Sequence, residues 1–264
     1  MLRGVKELLG YKLKAADGNL GKVRDFYFDD ESWTVRYLVA DTKRWLPGRL
    51  VLISPKSLGR PKWAAHLFPV SLDKKQIEHG PAISQDQPVS RQQESRLSRY
   101  YGWSIYWGAS LSYGAPPMAP AALAMLDDEG AEDEKEGGQD GGDQHLRSVR
   151  EVTGYKIQAK DGEIGRVEDF IVDDDNWILR YLVVNTRNWM PGGRKVVLSP
   201  GWAQRVEWES ERVVLDLKRE TIERAPEYNP GDPVNREVET RLYDYYGRPV
   251  YWSQDRRMGP NKHA

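Results

Sequence analysis

The chain has 264 residues, a net charge of −1, 39% hydrophobic and 30% charged residues. That balance gives no electrostatic footprint for nucleic acid, where a basic stripe is the usual sign. The absence of cysteine excludes a disulfide framework, a thiolate zinc site and a cysteine nucleophile.

In chain order, the start MLRGVKELLGYK has neither the apolar core nor the cleavage pattern of a signal peptide, so the expected compartment is the cytoplasm. Tyr11–Ala15 reads as a strand and leads into Asp17-Gly18, a hairpin signal because both residues tolerate positive φ. Leu20–Phe28 follows, with Leu20, Val23, Phe26 and Phe28 as the expected buried face, a spacing that needs a bulge. After a polar turn at Asp29–Ser32, Trp33–Thr42 is rich in β-branched and aromatic residues and reads as a central strand. Leu50–Ile53 and His66–Leu72 are further expected strands. A short helix is expected at Asp73–His79, and another after Pro88. There Ser90 and Gln93 fit a capping box and Gly102 fits the C′ position.

The chain then repeats itself. Leu2–Gly48 and Leu146–Gly192 align without a gap at an offset of 144, with 25 of 47 positions identical. The match resumes at an offset of 145, where PVSRQQESRLSRYYGWSIYW from Pro88 answers PVNREVETRLYDYYGRPVYW from Pro233. The second set of strands is therefore Tyr155–Ala159, Ile164–Val172, Trp177–Thr186, Lys195–Leu198 and Val213–Leu217. Helices follow at Lys218–Arg224 and after Asn235, the latter closed by Gly247. A period of about 100 residues is the size of a domain rather than of a solenoid unit. The expected organisation is one domain at 1–107, a linker at 108–144, a second domain at 145–253 and a flexible tail at 254–264. The linker is Ala/Pro/Gly-rich, then acidic, with nine acidic residues and one lysine in LDDEGAEDEKEGGQDGGDQ. Such a segment cannot bury enough apolar area to offset its ordering entropy and is expected to be disordered. Trp103–Leu126 is uncharged and as long as the roughly 20-residue span of a membrane helix. Its Pro116, Pro117 and Pro120 and its small residues favour a linker over a span.

The ordered set Gly10, Asp17, Gly18, Gly21, Val23, Asp25, Arg36, Tyr37, Leu38, Val39, Ser54 and Pro55 resembles a PRC-barrel domain. So does its second copy, Gly154, Asp161, Gly162, Gly165, Val167, Asp169, Arg180, Tyr181, Leu182, Val183, Ser199 and Pro200. The resemblance covers about 75 residues of each copy. It implies a mainly β fold of two small barrels, each followed by short helices. The family includes the cytoplasmic part of the photosynthetic reaction centre H subunit and the C-terminal domain of the ribosome maturation factor RimM, where the barrel binds macromolecules and is not itself catalytic. Here the first such unit begins almost at Met1 and a second unit stands in the place of RimM's other domain, so neither specific role is expected to transfer.

Catalytic sets are sparse. The four histidines, His66, His79, His145 and His263, give no set common to both copies, and no phosphate loop, nucleophile elbow or dinucleotide fingerprint is present. No catalytic, cofactor or metal residue is therefore assigned. Asp25, Asp29 and Asp30 match Asp169, Asp173 and Asp174, a weak candidate cluster for a hard cation. Asp25 and Asp29 would share a strand face if no bulge intervened. Aromatics are the stronger signal. Trp33/Trp177, Trp45/Trp189 and Trp107/Trp252, with Arg36/Arg180, are candidates for protein interaction, because Trp and Arg dominate interface hot spots. The alternative for the C-terminal Tyr/Trp segment is a lid on its own barrel, and for the arginines an aspartate on the neighbouring strand. The expected function is a non-enzymatic adaptor or scaffold for another protein, arranged as an intramolecular pseudo-dimer or homo-oligomer. The alternatives are a small-ligand or metal sensor, and a membrane-associated accessory of electron or proton transfer.

Overall fold

The computed structural model describes residues 1–43, 45–47, 49–83, 89–107, 145–187, 189 and 192–252. The expected linker and tail lie outside the described residues, as does most of the uncharged stretch after Trp103. In the first half the elements are β1 (Leu2–Gly4), α1 (Val5–Leu8), β2 (Lys12–Ala15), β3 (Gly18–Asp29), β4 (Thr34–Asp41), β5 (Val51–Ile53), β6 (Leu67–Pro69), α2 (Lys74–His79) and α3 (Arg91–Tyr101). The second half has β7 (Leu146–Ser148), α4 (Val149–Val152), β8 (Lys156–Ala159), β9 (Gly162–Asp173), β10 (Ile178–Asn185), β11 (Lys195–Leu198), β12 (Ala203–Glu207), β13 (Arg212–Leu215), α5 (Arg219–Glu223) and α6 (Arg236–Tyr246).

Strand chemistry accounts for the ladders. On β3 the predicted residues Leu20, Val23, Phe26 and Phe28 are all buried. Their uneven spacing is made possible by register shifts between Val23 and Asp25 and between Tyr27 and Phe28. β9 repeats the device with Ile164, Val167, Phe170 and Val172. Gly21, at φ +136°, is held there by crowding: a Cβ would meet the Asp41 carbonyl oxygen at 2.0 Å. The helix signals hold as well. Ser90 and Gln93 form a reciprocal capping box on α3, and Gly102 and Gly247 close α3 and α6 in the left-handed conformation. Asp73 and Gln76 form a second box on α2. β6 is shorter than the strand predicted at His66–Leu72, because His66 itself is left-handed at φ 49°.

The fold is mainly β, in one mixed 13-stranded sheet. Its main path runs β12-β13-β8-β9-β10-β4-β3-β2-β6, and β1, β5, β7 and β11 pair alongside it. This path does not close into a barrel, so the two separate barrels expected from the sequence are not what the pairing displays. The physical reason lies in two junctions. First, β4 meets β10 at Thr34 and Ile178, where Val35 N–H donates to the Trp177 carbonyl and Leu179 N–H to the Trp33 carbonyl, both at 2.8 Å. Second, the halves exchange their first strands. β1 pairs with β9 of the second half, and β7 pairs with β3 of the first. The short helices behind the exchanged strands bring Val5 and Leu8, and Val149 and Val152, into a hydrophobic cluster shared by both halves. A smaller cluster of Tyr37, Val39, Leu50, Leu52 and Leu97 lies beneath α3. Among the described residues no helix is long and apolar enough to cross a membrane.

Candidate functional site

The repeated aspartates sit at the strand exchange. Buried Asp25 accepts from Ser148 Oγ at 2.5 Å and from the Arg150 backbone N–H at 3.3 Å, gripping the start of α4. Asp169 does the same for α1, accepting from the Lys6 N–H at 3.1 Å. Burial raises both carboxyls above their usual range, Asp169 to about 6. Further out, Asp30 meets Arg147 Nε at 3.1 Å and Asp174 meets Arg3 Nε at 3.3 Å. Each of these four aspartates thus holds the other half. Asp29 instead accepts from Ser32 N–H and Oγ within its own turn, and the bulge at Tyr27/Phe28 removes the simple alternation that would put Asp25 and Asp29 on one face. Oxygens of Asp173, Asp174 and Asp175 lie within 4.8 Å of one another. Arg180 reaches Asp173 at 3.6 Å and Arg3 reaches Asp174, so this cluster already has its cations.

The predicted aromatics divide into three groups. Trp33 and Trp177 occupy left-handed backbone at φ 55° and 60°, and their carbonyls join β4 to β10. Trp33 stacks on Phe28 at 5.1 Å, and Trp177 lies 6.2 Å from Phe26. Trp45 and Trp189 stand at corresponding turns, half-buried, with Lys74 and Arg166 respectively 5.6 Å from their rings. Trp45 Nε1 donates to the Leu20 carbonyl. Trp107 and Trp252 fold back over their own halves, beneath Arg91 at 4.6 Å and Arg236 at 4.1 Å.

That last placement surrounds a pair of groups not singled out from the sequence. Glu94 on α3 is fully buried; it accepts from Tyr106 at 2.8 Å, contacts His145 Nε2 at 2.5 Å and is also bonded to Tyr37. Burial pushes its carboxyl and the Tyr37 phenol upward. In α6 the corresponding Glu239 accepts from Tyr181 at 2.7 Å and Tyr251 at 2.9 Å, beside Arg236 at 3.0 Å. The available signal was an Arg-x-x-Glu unit, Arg91/Glu94 and Arg236/Glu239, identical in both copies, with the Glu in line with Leu97 and Leu242 on the apolar face.

A cleft of about 830 Å³ opens in the first half. Its walls include Tyr37, Trp63, Trp103 and Tyr106 from that half and Trp177 from the other. Arg36, Lys56 and Arg60 supply cations, and Asp174 and Asp175 also belong to the lining. Arg36 lies over the Tyr106 ring at 3.7 Å and donates from Nη2 to Ser32 Oγ at 3.2 Å; its Nε, like that of Arg180, is buried with no hydrogen-bond partner among the described residues. Its counterpart Arg180 stacks similarly on Tyr251 at 4.0 Å but pairs with Asp173 on the neighbouring strand.

The second half fills the corresponding space. Trp202 stands at the position of Ser57 and Tyr243 at that of Ser98, a residue of the cleft wall. Trp202 packs on Tyr243 at 5.3 Å and Tyr246 at 4.8 Å, and Tyr243 is hydrogen-bonded to Ser199 and Tyr181. In the first half the indole comes instead from Trp103, whose Nε1 donates to Ser57 Oγ at 2.8 Å, leaving Ser98 beside open space. Neither a protein-family model nor a curated protein matches the chain.

Proposed function

We propose that this chain is a non-enzymatic binding protein derived from two PRC-barrel units joined as an intramolecular pseudo-dimer, with the cleft of the first half as its ligand site. One observation carries the reading. The space that Tyr243 occupies in the second half is open in the first, where Ser98 stands and Trp103, bonded to Ser57, supplies the indole that Trp202 supplies in the second. Pockets of a few hundred to about 1,000 Å³ with mixed aromatic and polar walls suit small organic ligands. The repeated carboxylates support a binding role over a catalytic one. Asp25, Asp30, Asp169 and Asp174 are engaged in holding the halves together, and Glu94 and Glu239 in anchoring the C-terminal segments. A thermal-shift screen of small organic compounds on the intact chain tests the site. Stabilising compounds are expected whose effect disappears in Ser98→Tyr, which installs the second half's side chain. Shifts that survive the substitution would refute the assignment.

A second reading, an adaptor for another protein, is favoured by Trp45 and Trp189. These half-buried indoles occur at corresponding turns of both halves, each beneath a cation. Crosslinking from native lysate with the intact chain and with Trp45→Ala/Trp189→Ala tests it. A partner lost only in the folded double variant is expected, and one retained equally by both removes the face from consideration.

A further inference from the structure

We infer that the cleft takes a planar organic anion: a ring system carrying a carboxylate or phosphate, with the acid group at Arg36 and Lys56 and the rings among the indoles. The inference rests on the reading of the cleft as a ligand site and specifies its chemistry.

The charge argument starts from what each cation already holds. Arg36, Lys56 and Arg60 form no ion pair among the described residues. Lys56 reaches only the Ser104 carbonyl, at 3.5 Å. Arg36 lacks a carboxylate for a specific reason. Its counterpart Arg180 uses Asp173, but the equivalent Asp29 is occupied by Ser32 N–H at 2.9 Å and Ser32 Oγ at 2.6 Å. Position 176 is asparagine, so in the second half no hydroxyl competes at that point. A guanidinium held over the Tyr106 ring at 3.7 Å, with no carboxylate partner among the described residues, is a fork of donors open to an acceptor. The carboxylates in the lining are already engaged, Asp174 by Arg3 and the Met1 ammonium and Asp175 by the same ammonium at 3.3 Å.

The shape argument comes from the walls. Trp63, Trp103 and Trp177 present three indoles to one space, and Tyr37 and Tyr106 add two phenol rings. Flat π-systems bind such walls by stacking and edge contacts with little loss of side-chain entropy. Trp63 is itself covered on one face by Arg3 at 3.6 Å, which fixes its plane. Specificity follows from the first half alone. Position 56 is Gly201 in the second half and position 103 is Arg248, so the second cation has no counterpart there and the indole comes from Trp202, packed on Tyr243.

The test uses 2-naphthoate and adenosine 5′-monophosphate as probes, with 2-naphthalenemethanol and adenosine as their neutral partners. Binding to the full chain is followed by calorimetry and by the indole N–H resonances in a nitrogen-15 correlation spectrum. At least one anion is expected to bind and shift a small subset of indole signals, including the Trp103 signal identified by Trp103→Phe. Its neutral partner should bind about tenfold more weakly or worse. Arg36→Gln and Lys56→Gly should each weaken the anion by about tenfold while leaving the melting temperature near that of the parent. Ser98→Tyr, and Ser104→Trp at an exposed position should that variant misfold, should abolish binding. Which anion binds separates the carboxylate from the phosphate source. Equal binding of neutral and charged probes, lost in the blocking variants but not in Arg36→Gln, would overturn the anion and leave the ligand site standing. If no probe moves an indole signal, both fail.

Discussion

The two halves share their strands, bulges, caps and buried glutamates, and differ most between the strand after the Pro-Gly turn and the start of the hairpin or turn that precedes the last strand. In the second half this segment is Pro200–Glu207, a 3-10 turn carrying Trp202 into the core and then β12. The first half uses Pro55–Ser57, then a second 3-10 turn at Trp63–Ala65, and leaves a cleft. A duplicated scaffold can give up packing in one copy while the other preserves the shared core. Filling one position with Tyr contributes roughly 2 to 3 kcal/mol of apolar burial, and the first half omits this at Ser98. Cavities of this kind reduce stability and persist where function uses them.

The largest expected effect comes from the feature both halves retain. Glu239→Ala removes the acceptor shared by Tyr181, Tyr251 and Arg236, and should cost about 3 to 5 kcal/mol in urea unfolding. Glu94→Ala should cost a similar amount and, because His145 belongs to the other half, should also speed hydrogen exchange in β7. Equal exchange in both variants would break that distinction.

Asp169 offers a pH-dependent version of the comparison. Its folded carboxyl titrates near 6, above its ordinary value of 3.8, because burial disfavours the charge. Between those values the native state binds more protons than the unfolded chain, so its contribution is present below about pH 4 and is lost as pH rises through about 6. Asp169→Asn keeps an oxygen for Lys6 N–H and should flatten this part of the melting profile from pH 4 to 8. The gain at neutral pH should be up to about 3 kcal/mol. An unchanged slope would show that the carboxyl is better solvated than its packing implies.

The smallest effects concern backbone strain. His66 and Glu211 are counterparts, and both are left-handed, at φ 49° and 54°. Glu211→Gly should raise stability by about 0.5 to 1 kcal/mol. His66→Gly should gain less, since the imidazole sits 4.8 Å from Tyr11. Thermal melts of the two variants check the order.

Most of the local structure was legible because it is local. The bulged spacing on β3, the Ser90 box and the glycine closures depend on neighbours in sequence. The open sheet was not, since a three-residue strand such as Leu2–Gly4 carries no periodicity and its partner is β9. For the same reason Asp25 reads as a weak cation ligand until Ser148 is placed against it. Arg180 met the expected neighbouring aspartate; Arg36 did not, because Ser32 in place of Asn176 redirects Asp29. The cleft was hidden in one serine, Ser98, whose small size has meaning only beside its bulky twin Tyr243.

The exchange of first strands also sets an order of events during synthesis. Leu2 must wait for Asp173, 171 residues later, before its ladder forms. Until Leu146–Ser148 leave the ribosome, the edge of β3 has no covering strand, and Val149 and Val152 are missing from beneath it. Contacts of such long range form late and slowly, and an unpaired edge is the usual starting point for wrong pairings between nascent chains. The nascent first half is therefore an unfinished object, and the protein becomes a single folding unit only when its second copy has been made.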